Sequence, residues 1–393
     1  MVERTLRPRL LAMARKFPAV TVTGPRQSGK TTLCRAAFPG KPYVSLEAPD
    51  THDYARSDPR GFLGDYPDGA ILDEIQRVPE LLSHLQGELD ARPHPGRFIL
   101  TGSANLALLD SVSQSLAGRT AVLNLLPLGW DEVQRFARPP GDLVSALWTG
   151  GYPAILDREL DPPDWLGSYV GTYVERDVRQ VINVGDLVAF QTFLRMCAGR
   201  SGQLLNLSAL GADAGVTHPT ARAWVSVLEA SFVAFRLPPF HTNVTSRLVK
   251  TPKLHFYDSG LLCYLLGIRR PEQLREHPLR GAVFETWVVT EVLKARLHRG
   301  IAGGLSFFRD RRGLEVDLLV ELAEELVAVE TKSGQTVAPD FAAGLEAFAA
   351  LMSGRRRPPV RRVLVFGGES RQQRTGLTVL PWSAIHRYDW GAR

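Results

Sequence analysis

The chain has 393 residues, more than one ordinary hydrophobic core can organise, so two or three domains are expected. Its 44% apolar and 22% charged residues suit a globular protein, and no run of eighteen apolar residues is present to span a membrane. Three scattered cysteines, Cys34, Cys197 and Cys263, make neither a disulfide framework nor a zinc spacing, and a net charge of +6 admits a nucleic-acid partner without requiring one.

The opening residues Met1–Arg9 lack the apolar core of a signal peptide, so the cytoplasm is the expected compartment. A buried strand is expected over Ala19–Thr23, followed by Gly24-Pro25-Arg26-Gln27-Ser28-Gly29-Lys30-Thr31 and a helical stretch through Ala37. This is the G-x-x-x-x-G-K-T phosphate-binding loop in its proper strand-to-helix context. Its glycines let backbone N–H groups turn toward phosphates, with a helix N-terminus behind them. Lys30 would reach the β/γ-phosphates, the Thr31 hydroxyl would ligate Mg²⁺, and Thr32 continues the loop. ATP and Mg²⁺ are the expected cofactors.

Further strand-like runs occur at Tyr43–Leu46, Ala70–Leu72, Phe98–Leu100 and Ala121–Leu125. Strands alternating with helices predict an α/β fold with a parallel sheet over roughly residues 1–135, an AAA+-like P-loop ATPase domain. The run Ile71-Leu72-Asp73-Glu74 reads as a Walker B strand end. Asp73 would hold the metal, and Glu74 would polarise the attacking water. At the tip of the following strand, Ser103 is the first choice for a γ-phosphate sensor and Asn105 the second, although either could cap a helix. Arg119 is a candidate arginine finger for a neighbouring subunit or an ordinary surface arginine.

Residues 136–255 are expected to be mainly helical, with a winged helix-turn-helix over about 187–245. A helix over Leu207–Ala214, a turn at Gly215-Val216-Thr217 and a helix over His218–Glu229 carry that expectation. Ala221, Trp224, Val225 and Leu228 fall on one face of the second helix, and Phe232–Phe240 would supply the wing. His218, Thr220 and Arg222 begin the helix that would contact DNA, unless the module packs only against protein. Arginine clusters at Arg309/Arg311/Arg312 and Arg355–Arg357 are solvated faces or phosphate contacts.

Over 256–393 a helix from Gly281 to about Arg296 carries Glu285, and strands follow at Leu305–Phe308, Glu315–Glu321 and Leu326–Thr331. Asp317 lies on the second strand, while Glu330 and Lys332 share one face of the third. Together they suit a metal-dependent phosphodiesterase site with a second Mg²⁺ or Mn²⁺. An ion-pair cluster, or a nuclease-type fold that holds DNA without cutting it, would use the same residues.

This order of motifs resembles, nearly end to end, prokaryotic AAA-type P-loop ATPases with a C-terminal domain of unknown function. Gly24–Thr31, Ile71–Glu74, Leu100–Ser103, Leu116–Arg119, Glu175–Val178, Pro252–Leu262, Gly281–Glu285, Glu315–Asp317 and Glu330–Lys332 carry the resemblance. It implies an ATPase core, a winged-helix middle, a PD-(D/E)XK nuclease-like last domain and a DNA-related role. His255 and Thr331 depart from the residues usual at their positions, and no second sensor arginine is evident. The function expected is an ATPase acting on DNA as a homo-oligomer, in ring form if it works like other AAA machines, with no membrane role. The alternatives are a nucleotide-gated switch that binds a protein or promoter, and an ATP-controlled nuclease.

Overall fold

The computed structural model describes residues 2–103, 115–174, 187–240, 249–353 and 358–391. Asn105, the Glu175–Val178 motif and the Arg355–Arg357 cluster lie outside the described residues. The chain divides into two compact units. One comprises Met1–Leu128 with the short pieces Ala230–Phe232 and Leu297–Gly300, and the other holds the rest. Residues of the expected middle and last domains therefore share one unit.

The first unit is a five-stranded sheet with order β2-β3-β4-β1-β5. Its strands are β1 (Ala19–Gly24), β2 (Tyr43–Ser45), β3 (Ile71–Asp73), β4 (Phe98–Ser103) and β5 (Thr120–Asn124). All neighbours pair in parallel. Every residue of β1 and β4 is buried, as expected for central strands covered on both faces. Side chains alternate between those faces. Ala19, Leu72 and Leu100 pack with α3 (Pro49–Ser57), α4 (Pro59–Gly64) and α5 (Leu81–Ala91) through Ala55, Phe62 and Leu85. Val20, Ile71 and Ile99 turn the other way, onto α1 (Arg7–Ala14) and α2 (Lys30–Ala37) through Leu10 and Leu33. Each fully buried leucine among these contributes on the order of 2 kcal/mol by removing apolar surface from water.

Strand order decides where the chemistry goes. β4 lies between β1 and β3, and its Ser103 stands in register with Gly24. The phosphate loop, Ser103 and the Asp73-Glu74 pair therefore emerge together at the carboxyl end of the sheet.

In the second unit, α6 (Trp130–Val133), α7 (Leu143–Thr149), α8 (Pro153–Asp157), α9 (Pro162–Tyr169) and α10 (Leu187–Gly199) come first. Helices α11 (Leu207–Asp213) and α12 (His218–Ala230) follow, then an antiparallel pair, β6 (Ala234–Leu237) and β7 (Lys253–Phe256). Asn206 starts α11 by accepting a hydrogen bond from the Ala209 N–H at 3.0 Å. Ala221, Trp224, Val225 and Leu228 of α12 are all buried, the face that the spacing predicts. Asp258 caps α13 (Ser259–Leu265) through the Leu261 N–H at 2.8 Å, and its other oxygen accepts from the Gly151 N–H at 2.7 Å.

After α14 (Pro271–Arg275) and α15 (Arg280–His298) the chain builds a six-stranded mixed sheet, β12-β13-β11-β10-β9-β8. Its strands are β8 (Leu305–Arg309), β9 (Glu315–Glu321), β10 (Leu326–Lys332), β11 (Val360–Phe366), β12 (Gln372–Arg374) and β13 (Leu377–Pro381). Leu345 and Phe348 of α16 (Ala343–Leu351) cover one face, against Leu319, Ala328 and Leu364. Sequence patterning anticipates β8, β9 and β10 but not β12 and β13, whose short polar-flanked runs carry little periodicity.

Candidate functional site

The backbone makes the phosphate loop. Gly24 has φ +149°, and a Cβ there would stand 2.1 Å from the Leu125 carbonyl oxygen, so only glycine lets β1 pass β5 here. Gly29 has φ +92° and opens α2 at Lys30. Gln27, at φ 62°, is held in a left-handed conformation inside the loop. From the N-terminal segment the buried Arg4 donates to the Ser28 carbonyl at 2.5 Å and the Leu126 carbonyl at 2.7 Å, tying the loop to the end of β5.

Lys30 is buried, and its ammonium donates to the Gly24 and Pro25 carbonyls at 3.1 and 2.8 Å. Burial lowers its pKa to about 8, against the opposing pull of Glu74 and Asp73. An ammonium folded back on its own loop is placed to exchange carbonyl partners for phosphate oxygens.

Asp73 gathers hydroxyl groups. Thr31 Oγ1 donates to it, lying 3.0 Å from each carboxylate oxygen; Tyr43 donates to Oδ2 at 2.7 Å, and Thr101 donates to Oδ1. Burial pushes the Tyr43 phenol up to about 12, and its bond to Asp73 adds to the shift. Glu74 has φ 58°, a left-handed backbone that only local constraint holds for a non-glycine residue. Ser103 Oγ donates to Glu74 Oε2 at 3.3 Å. The Gln76 amide, in the short 3₁₀ turn Ile75–Arg77, donates to Ser103 Oγ at 2.9 Å and also to Glu74.

These residues fit a magnesium nucleotide. Thr31 and Asp73 would hold Mg²⁺, since a hydroxyl and a carboxylate side by side are the hard oxygen donors that ion prefers. The turned-in backbone of Gly24–Thr32 and the Lys30 ammonium would hold phosphates.

Arg119 lies at the opposite, amino end of the sheet, just before β5, and pairs with Asp90 through two bonds of 2.6 and 2.8 Å. In α12, His218 and Arg222 are exposed, and Thr220 is half-buried with its hydroxyl 2.9 Å from that of Thr217.

The C-terminal carboxylates are individually engaged. Lys253 of β7, 2% exposed, lies 2.8 Å from Glu285 and 2.6 Å from Glu315. Asp317 Oδ2 accepts from the Thr331 N–H and hydroxyl, each at 2.8 Å. Lys332 donates to Glu330 at 2.6 Å. Burial raises Glu285 to about 8, with Asp317 adding to the rise and Lys253 opposing it. Burial likewise raises Glu330 to about 7. Among the described residues no three His, Cys, Asp or Glu side chains stand together as a metal-holding group.

A family profile described as "AAA domain" matches residues 16–134. Two profiles described as domains of unknown function follow, DUF8612 over 141–272 and DUF4143 over 280–385. "Uncharacterized protein Rv2008c" of Mycobacterium tuberculosis is 33% identical over 335 residues, covering 84% of this chain and 73% of that protein. The chain belongs to its family. "Uncharacterized protein Mb2031c" of Mycobacterium bovis matches with the same identity and coverage. Among solved structures, the Walker-type ATPase paby2304 of Pyrococcus abyssi is similar at 16% identity and TM-score 0.45, covering 66% of this chain and 94% of that one. AMPPCP-bound DnaA from Aquifex aeolicus is similar at 14% identity and TM-score 0.30, covering 57% and 85%.

With the AAA-domain match over its P-loop unit, this family member is an AAA-type P-loop ATPase. Sequence reading of the ATPase site passed over Arg4, Tyr43, Gln76 and Thr101. Gln76 had a local signal, two residues beyond Glu74. Tyr43 and Arg4 had none, because they reach the site across the sheet and from a preceding segment. Lys253 and Glu315 were likewise missing from the C-terminal set. No helix among the described residues is long and apolar enough to cross a membrane.

Proposed function

We propose that ATP binding and hydrolysis at the phosphate loop power an action of this chain on DNA: remodelling, clamping or translocation. The observation that carries this reading is a helix-turn-helix, α11 and α12, followed by the β6–β7 pair, with Thr217, His218 and Arg222 exposed where the second helix begins. A helix that enters a groove needs that free polar first turn, while its opposite face packs inward. The net charge of +6 is in keeping with a polyanionic partner.

In this reading Lys30 holds phosphates, Thr31 and Asp73 hold Mg²⁺, and Glu74 accepts the proton of the attacking water. Ser103 reports on the γ-phosphate. In the same reading the chain works in the cytoplasm as a homo-oligomer, in ring form like other AAA machines, and Arg119 exchanges its partner Asp90 for the nucleotide of a neighbouring subunit. The C-terminal sheet serves as a PD-(D/E)XK-like platform that holds DNA. The contacts of Lys253 favour holding over cutting, because a protein ammonium already sits 2.8 Å from Glu285, one of the acids a cutting site would use, and 2.6 Å from Glu315.

The test is ATP hydrolysis by wild type and Glu74→Gln with single-stranded, duplex and four-way-junction DNA, alongside DNA binding by Arg222→Glu. Stimulation by one DNA form, lost in Glu74→Gln, with weaker and less salt-sensitive binding by Arg222→Glu, supports the reading. Hydrolysis indifferent to every DNA form overturns it and leaves the nucleotide-gated, protein-binding switch.

A further inference from the structure

We infer that Gln76 is a positioning residue for Glu74, a role that rests on the assignment of Glu74 as the base of ATP hydrolysis. The residue after the Walker B pair enters a 3₁₀ turn, Ile75–Arg77, and this turn swings the Gln76 side chain back toward the strand tips. Its amide nitrogen bridges two groups on different strands: Glu74 beyond β3, and Ser103 at the end of β4, 2.9 Å away. Ser103 itself donates to the same Glu74 oxygen at 3.3 Å. The three side chains close a triangle in which one carboxylate oxygen receives two donors.

Two further observations show that this triangle has a directional purpose. Glu74 adopts φ 58°, so its backbone is held away from the extended path of β3. Ser103 pairs in register with Gly24, so the corner that receives Gln76 faces the start of the phosphate loop. A carboxylate on a left-handed residue has several rotamers open to it, and two fixed donors on one oxygen remove that freedom. In this reading the other oxygen, Oε1, accepts the proton of the attacking water. Gln76 also has a second polar atom: its carbonyl oxygen is buried without a partner among the described residues. Burying an amide oxygen unpaired costs about 1–3 kcal/mol, so this side chain is not the most stable choice for the position. A simple apolar filler would avoid the cost but would remove one of the two donors that hold Glu74.

Gln76 therefore acts through Glu74. Its loss should slow turnover without weakening nucleotide binding. Misplacing a catalytic group by about 1 Å costs on the order of 100-fold in rate, which sets the scale.

The experiment is a double-mutant cycle on the full chain with Gln76→Met, which keeps the side chain's length, and Glu74→Gln. Steady-state hydrolysis is read together with affinity for a fluorescent non-hydrolysable ATP analogue and the melting temperature. Gln76→Met is expected to lower kcat about 10- to 100-fold. KM and analogue affinity should stay within about twofold of wild type, and Gln76→Met should add nothing further in the Glu74→Gln background. Unchanged or increased kcat in Gln76→Met overturns the proposal, an increase meaning that Gln76 restrains Glu74. A parallel loss of analogue affinity and melting temperature also overturns it, since that marks a structural fastener. Full activity in Glu74→Gln alone is a different failure, of the assignment of Glu74 itself.

Discussion

The Tyr43 hydroxyl, at the edge of the sheet on β2, donates to Asp73 Oδ2 on β3 across 2.7 Å. Asp73 also receives Thr31 and Thr101, so three hydroxyls converge on the carboxylate assigned to Mg²⁺. Tyr43 is 38% exposed and, of the three, is the one on an edge strand, so it is the one most able to swing aside. Its phenol competes with whatever else Asp73 would bind. Tyr43→Phe is therefore expected to lower the Mg²⁺ concentration needed for half-maximal nucleotide binding by about 2- to 5-fold, roughly one net hydrogen bond. A Mg²⁺ titration of nucleotide affinity checks this, and an increased requirement would make Tyr43 a support of the metal site instead.

Lys30 supplies a pH dependence. Its folded pKa of about 8 lies below the ordinary 10.5, so between these values the unfolded chain holds more protons than the folded one. Stability gains from this group as pH rises through that window, because the buried charge is relieved. Nucleotide binding has the opposite sign, since phosphates need the ammonium. Affinity for an ATP analogue should be flat below pH 8 and then weaken up to about tenfold per pH unit. Calorimetric titration between pH 7 and 9.5 measures it, and a flat profile across that range would show that Lys30 stays charged.

Gly24→Ala places a methyl carbon 2.1 Å from the Leu125 carbonyl oxygen, at a φ of +149° that an alanine rarely adopts. β1 and β5 must separate to admit it. A loss of about 2–4 kcal/mol is expected from clash and strain together. Urea unfolding checks the loss, and a fall below 1 kcal/mol would mean that the loop yields easily.

Lys253 neutralises two acids from within the second unit. Burial raises Glu285 to about 8, so Glu285 contributes stability at low pH that is lost as pH climbs from the ordinary carboxylate range toward 8. Lys253→Met removes the cation that opposes this loss. The variant should cost about 3–5 kcal/mol at pH 9.5, where Glu285 is ionised against Lys253 in the parent chain, and clearly less at pH 6, where Glu285 carries its proton with or without the lysine. Denaturant unfolding at the two pH values decides it. Equal costs would assign the role of Lys253 to packing against Phe307, whose ring centroid lies 5.4 Å from its ammonium.

Much of the ATPase site is legible in the sequence because its chemistry is local. Gly24 through Thr31 is one loop between a strand and a helix, and Asp73-Glu74 ends one strand. Backbone conformation and near neighbours alone establish what those residues can do. The buried face of α12 was equally readable, since Ala221, Trp224, Val225 and Leu228 repeat at the helical period. The number of compact units was not, because cohesion between 129–229 and the C-terminal sheet depends on contacts distant in sequence.

Sequence by itself thus determined a glycine-rich loop between a strand and a helix, an acid pair at a strand end, two consecutive helices further on, and a mixed α/β module after them. Tertiary structure alone decided which groups meet. Strand order put Ser103 beside Gly24 and Glu74, and the sheet edge carried Tyr43 to Asp73. The β6–β7 pair delivered Lys253 to Glu285 and Glu315. Those meetings join residues 29 to 79 positions apart, and periodicity does not encode them. They follow from which strands neighbour one another, which is settled by the burial of whole sheet faces and not by any local pattern.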